Sequence, residues 1–165
     1  MRVRQLVLLA LLVFVNTGGI CGGFTPPKPD SCSMPATRTL DSLVVGSLGD
    51  SEDESKFVPL SDGDHVHLVF GPQGGTMLPI RLRVAGSDAV GCLPQVSTLA
   101  SVNKDQVPIV PVAGSAAPLR TYAEPDGSAT THPLYLIFEN DPVDNMILLT
   151  VEAGGLQVKR MLNTH

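Results

Sequence analysis

The sequence predicts an all-β domain, an antiparallel β-sandwich, and three observations lead there. Short runs of strand-forming residues recur at a spacing of roughly 8–12 residues, the rhythm of sandwiches and barrels. Gly and Pro supply 16 and 14 of the 165 residues, about 18% against the ~12% of average usage, which suits a turn-rich folded chain. No helical period occurs after the N-terminal apolar run. Aromatic residues are only 4% and Trp is absent, so Val, Leu and Ile must build the core.

In chain order, MRVRQLVLLALLVFV places Arg2 and Arg4 before an apolar run from Leu6 to Val15. That run is shorter than the ~20 residues of a membrane-crossing helix, and small residues follow it, so residues 1–23 are expected to be an export signal. Cys21 stands where a lipidated cysteine would. Ile20 and Gly18 depart from the lipoprotein pattern, so the alternative is a plain cut after Gly19 or Gly23. FTPPKPDSCSMP makes residues 24–36 a Pro-rich spacer that cannot be helical. The domain is expected over residues 37–165.

A first strand is expected at Thr39–Val45, followed by an acidic, solvated loop, GDSEDESK. In FVPLSDGDHVHLVF, Asp62-Gly63 is a turn signal, and Val66, Leu68 and Phe70 alternate with His65, His67 and Val69. A hairpin with its loop at Gly71–Gly75 sets Phe70 opposite Thr76, Leu68 opposite Leu78 and Val66 opposite Ile80. It also sets His65 opposite Arg81. Pro79 lacks an N–H, so this arm should be an edge or carry a bulge. VPIVPV (Val107–Val112) reads as an edge strand or an extended loop, PLRTYA as a short strand before a Pro125–Gly127 turn, and HPLYLIFE as a strand buried on both faces. After the loop NDPVDN, MILLTVEA pairs back across Gly154-Gly155. Val151 then faces Val158, and Leu149 faces Arg160, a mismatch that predicts fraying or a bulge at that end.

PLSDGDHVHLVFGPQGG (Pro59–Gly75) resembles a signature of secreted or lipid-anchored bacterial proteins of unknown function, in which a P-L-x-D-G-D turn precedes a strand and a G-P-Q-G-G loop. The resemblance covers about a tenth of the chain in firm residues. It implies an immunoglobulin-like sandwich and a location outside the cytoplasm, and it lends no activity. This chain has Thr76-Met77 where those proteins favour an aromatic residue or His.

The formal charge is −5; removing Arg2 and Arg4 leaves 9 basic against 16 acidic residues, −7. With no Lys/Arg cluster, this argues against nucleic acid and anionic membrane surfaces as partners, leaving a lipid at Cys21 as the only membrane link. An exported chain meets an oxidising compartment, so a Cys32–Cys92 disulfide is expected, with two free thiols as the alternative.

His65 and His67 lie ~6.6 Å apart along one strand face, a spacing used by His-x-His metal pairs, and Asp62 or Asp64 could add an oxygen. The alternative is a pair of solvent-facing histidines. The carboxylates Asp50, Glu52, Asp53, Glu54, Asp62, Asp64, Asp141 and Asp144 have no EF-hand spacing. GPQGG lacks the Lys-Ser/Thr of a phosphate loop, and no G-x-S-x-G elbow occurs. No catalytic residue and no cofactor are therefore assigned. The expected role is non-catalytic, in structure or recognition at the bacterial cell envelope, in the periplasm, on the cell surface or secreted, with an envelope or extracellular protein as partner. The alternative is a zinc- or copper-binding accessory protein using His65 and His67.

Overall fold

The structure, a computed structural model, describes residues 32, 38–49, 55–71, 74–103, 105, 108–138 and 145–164. The expected signal, Cys21, the Pro-rich spacer apart from Cys32, the centre of the acidic loop and NDPVD lie outside these residues.

In chain order the strands are β1 (Ser42–Ser47), β2 (Val58–Pro59), β3 (His65–Val66), β4 (Val69–Phe70), β5 (Thr76–Ala85), β6 (Gly91–Leu93) and β7 (Gln95–Val102). They continue as β8 (Pro108–Ser115), β9 (Leu119–Ala123), β10 (Ala129–Thr131), β11 (Leu134–Ile137), β12 (Met146–Ala153) and β13 (Leu156–Thr164). Two sheets form the expected sandwich. One runs β2-β1-β5-β10-β9-β6, with β4 and β11 pairing with the other half of β5. The second runs β3-β13-β12-β7-β8. Among the described residues, pairing is antiparallel except between β3 and β13.

The core follows from alternation. Leu78, Ile80, Leu82 and Val84 of β5 point inward and are fully buried. Leu99 of β7 and Ile147, Leu149 and Val151 of β12 meet them from the opposite sheet, in one cluster with Leu43, Val45, Leu93, Leu134, Leu136 and Leu162. Each such side chain contributes about 1.5–3 kcal/mol when removed from water, so a mainly aliphatic cluster, joined by Phe138, sustains the interior.

Pro79 decides where the first hairpin ends. Val69 pairs with Met77 and Phe70 with Thr76, the expected register. Thr76 O accepts from Phe138 N at 2.9 Å, so even-numbered β5 amides face β11 and odd-numbered ones face β4 and β1. The next pair in that register would join His67 to Pro79, which has no N–H to give. The ladder stops there. β3 instead crosses to the other sheet, where His65 and Val66 pair in parallel with Asn163 and Thr164. The expected His65–Arg81 and Val66–Ile80 pairings are thus corrected; Arg81 sits opposite Gly46. β5 is also no edge: it has strands on both sides, and Pro79 falls in the gap between β4 and β1.

A second proline reshapes HPLYLIFE. Thr130 pairs with Arg83, but Leu134 pairs with Ile80, a one-residue slip that marks a bulge at Thr131–Pro133. The groups released by the bulge find new partners: Thr131 Oγ1 accepts from Leu82 N at 3.0 Å, and Thr131 O from Arg81 Nε at 2.8 Å. β11 is buried on one face, not two: Leu134 and Leu136 point inward, and Ile137 is exposed.

The last hairpin runs from Met146–Asn163 to Ala153–Leu156 without fraying, including Leu149–Arg160. Arg160 lays its stem along the sheet and carries its Nε to Leu60 O at 2.7 Å, so charge and apolar face coexist. β8 is the edge strand that its prolines predict, and its pairing with β7 slips twice.

Candidate functional site

The β4–β5 hairpin projects from one end of the sandwich. Gly71 N donates to Gly75 O at 2.8 Å and Gly74 N to Gly71 O at 2.9 Å, closing a tight loop. Gly74 takes φ +82°, a conformation that costs glycine little and branched residues much. Under the loop, Met77 is buried with its Cε against Gly71. Phe70 is nevertheless 80% exposed, and Ile137, on the neighbouring β11, is 57% exposed. Gly75 lies beside Ile137: a Cβ there would stand 3.7 Å from its Cγ2. Two large apolar side chains are therefore exposed at this end of the buried β5, Phe70 on the face of its partner Thr76 and Ile137 on the opposite face, that of its partner Met77.

The residues singled out from the sequence lie elsewhere. His65, on β3, and His67, just beyond it, are both exposed. The neighbouring carboxylates serve the backbone. Asp62 Oδ1 accepts from Met161 N at 2.8 Å, and Asp64 Oδ2 accepts from Ser61 N at 2.8 Å. Gly63 N adds a bond to Met161 O at 2.7 Å, so the Asp-Gly-Asp turn caps the outer edge of β13. Among the described residues, no three His, Cys, Asp or Glu side chains gather as a metal-holding group. Cys32 and Cys92 form the expected disulfide, with Cα atoms 5.6 Å apart.

Sequence reasoning missed the covered outer face of the first sheet. Arg81 is buried there. Its Nε serves Thr131 O, its Nη1 reaches Ser55 O (2.8 Å) and Lys56 O (3.0 Å), and its Nη2 reaches Thr130 Oγ1 (3.1 Å). Thr130 Oγ1 donates in turn to Glu124 Oε1. Arg83 stacks its Cζ 4.2 Å over the Phe57 ring, with its Nε buried and unpartnered. In the adjoining turn the Ser128 hydroxyl and backbone N–H bond to Asp126, and with the Arg83 guanidinium nearby they hold its carboxyl below the usual value. Tyr122 and His132 pack with ring centroids 4.6 Å apart and planes tilted by 52°. The Arg81 and Arg83 contacts fasten Ser55, Lys56 and Phe57 to the sheet. The one available signal was the alternation of Arg81 and Arg83 with core residues, which marked a second face without saying what covers it.

A cleft of about 580 Å³ lies beside the Gly154–Gln157 turn, lined also by Pro94, Gln95, Val96, Pro118 and Glu152, among others. Gln95 is buried and satisfied: its Nε2 donates to Ala117 O (2.8 Å) and Ser115 Oγ (3.3 Å), and its Oε1 accepts from Ser97 Oγ (2.6 Å).

Compared with protein-family models, curated proteins and solved structures, the chain matches none. Its function must therefore be argued from its own surface.

Proposed function

We propose that this chain is an exported, non-catalytic recognition protein of the bacterial cell envelope, contacting a protein partner through the hairpin tip at Phe70 and Ile137. One observation carries the reading: Phe70 is 80% exposed on a hairpin whose other arm, β5, is anchored in the core. A large apolar side chain held in water gains free energy when a partner covers it, and aromatic anchors of this kind dominate protein interfaces. The glycine loop beside it lets another backbone approach closely. Export is supported by the apolar leader and by the disulfide, which belongs to an oxidising compartment. A location in the periplasm, on the surface or outside the cell follows, with a lipid at Cys21 as the membrane link if the chain is anchored.

The test compares the wild-type domain with Phe70→Ser/Ile137→Ser for retention of envelope proteins. Equal thermal midpoints establish that both are folded. Loss of the retained proteins in the double variant supports the reading, and equal retention contradicts it. A His65→Ala/His67→Ala control is expected to retain the same proteins as wild type.

A further inference from the structure

The sheet edges of this molecule are guarded against a further strand, with one exception. β2 ends in Pro59 and β8 carries Pro108 and Pro111, residues with no N–H to give. Beside β6, Arg38 Nη1 donates to Val90 O at 2.7 Å, so a guanidinium occupies that edge. β3 follows directly on the charged Asp62-Gly63-Asp64 turn, whose carboxylates serve the backbone. β11 lies against β8. β4 has none of these devices: among the described residues it pairs with β5 alone.

The register fixes what the open edge offers. Gly71 N donates to Gly75 O at 2.8 Å, and the alternation of an antiparallel ladder makes Gly71–Gly75 and Val69–Met77 the hydrogen-bonded pairs. Phe70 stands between them, so its N–H and C=O point away from β5, into the open side. Its ring, 80% exposed, lies beside these groups. No Asp, Glu, Lys or Arg occurs from His65 to Ile80, and the flanking charges are engaged. Asp64 Oδ2 accepts from Ser61 N, and Arg81 donates to the carbonyls of Ser55, Lys56 and Thr131. A charged segment would find no counter-ion here, so the electrostatics favour an uncharged one.

We propose that the outer edge of β4 receives an extended, uncharged segment of the partner protein as an added strand, paired through the N–H and C=O of Phe70. Strand side chains alternate between faces, so the residue opposite Phe70 sets an apolar side chain beside its ring, with Cβ atoms within ~5.5 Å. A second copy of the chain fits this edge less well. An edge running only from Leu68 to Gly71 falls far short of the ~20–30 residues a side by which folded pairs meet, whereas one added strand matches it. The proposal rests on the reading that the hairpin tip contacts a protein, and adds the backbone to the contact.

The experiment separates backbone from ring. Phe70→phenyllactate keeps the ring and exchanges the N–H for an ester oxygen; that N–H serves no ladder bond, so the thermal midpoint should match wild type. The probe is the peptide acetyl-Thr-Val-Thr-Val-Thr-Val-amide, added to the oxidised protein and followed by amide NMR. The peptide should shift the Phe70 signal, slow exchange of its amide and leave Gly155 in place. It should bind the phenyllactate variant ~3–10-fold more weakly, the loss of about one hydrogen bond. Equal binding to both proteins, or no shift at Phe70, overturns the proposal. So does a Phe70 signal that moves with protein concentration before peptide is added, since a second copy then occupies the edge. If Phe70→Ser abolishes retention of envelope proteins while Phe70→phenyllactate preserves it, the hairpin tip stands as a contact surface and strand addition alone fails.

Discussion

Gly46 shows how closely single residues are specified on the covered face. A Cβ at this position would lie 2.8 Å from Cε2 and Cζ of Phe57 and from Val58 O. The contact includes backbone, so relief requires moving Phe57 and β2 together, and Arg83 loses the ring beneath it. Gly46→Ala should therefore destabilise the fold by about 1–3 kcal/mol, the cost of overpacking a filled site, read as a lowered urea midpoint. Asp126 offers a pH probe. Its carboxyl is held below its ordinary value of 3.8 by the Ser128 bonds first and by Arg83 after them. A lowered folded-state value means the contribution is complete above 3.8 and is lost as pH falls through the lowered value. The Ser128 amide signal should accordingly titrate below pH 3.8 in wild type and lose that titration in Asp126→Asn.

Among the elements, the hairpins separate what was readable from what was not. Gly154-Gly155 and the alternation of MILLTVEA fix the β12–β13 register locally, and all eight pairs follow it. The β4–β5 register was equally local and equally readable, but only for two pairs. Beyond them, Pro79 removes a donor and the chain changes sheets, where β3 finds a partner far along the chain, His65 pairing with Asn163. The proline was visible in the sequence; its destination was not, because no local pattern encodes which distant edge is free. HPLYLIFE misled for a related reason. Apolar residues at successive positions mimic a strand buried on both faces, whereas the bulge at Pro133 and the exposure of Ile137 depend on the neighbouring sheet edge. The Cys32–Cys92 link closes a separation of 60 residues. Replacing both cysteines by serine should cost about 3–4 kcal/mol by freeing the unfolded chain. Denaturant titration of the oxidised protein against the double variant checks this.

For the whole molecule, alternation on the two sheets is enough to build an interior without Trp and to leave the poles for interaction. The architecture was legible because burial repeats with period two. The candidate contact surface was not: Phe70 lies in the same alternating series as the buried Val66, and nothing in the sequence separates an anchor in the core from one in water. Only the end of the hairpin in space makes that distinction. β5 spans ten residues, about 33 Å, with the tip at one end and the β9–β10 turn that holds Asp126 at the other. A photo-crosslinking residue placed at position 70 or, as a control, at position 126 in the producing cell tests the central claim most directly. The account predicts discrete partner adducts from position 70 and none from position 126. Matching adducts from both positions, or none from position 70, would contradict it.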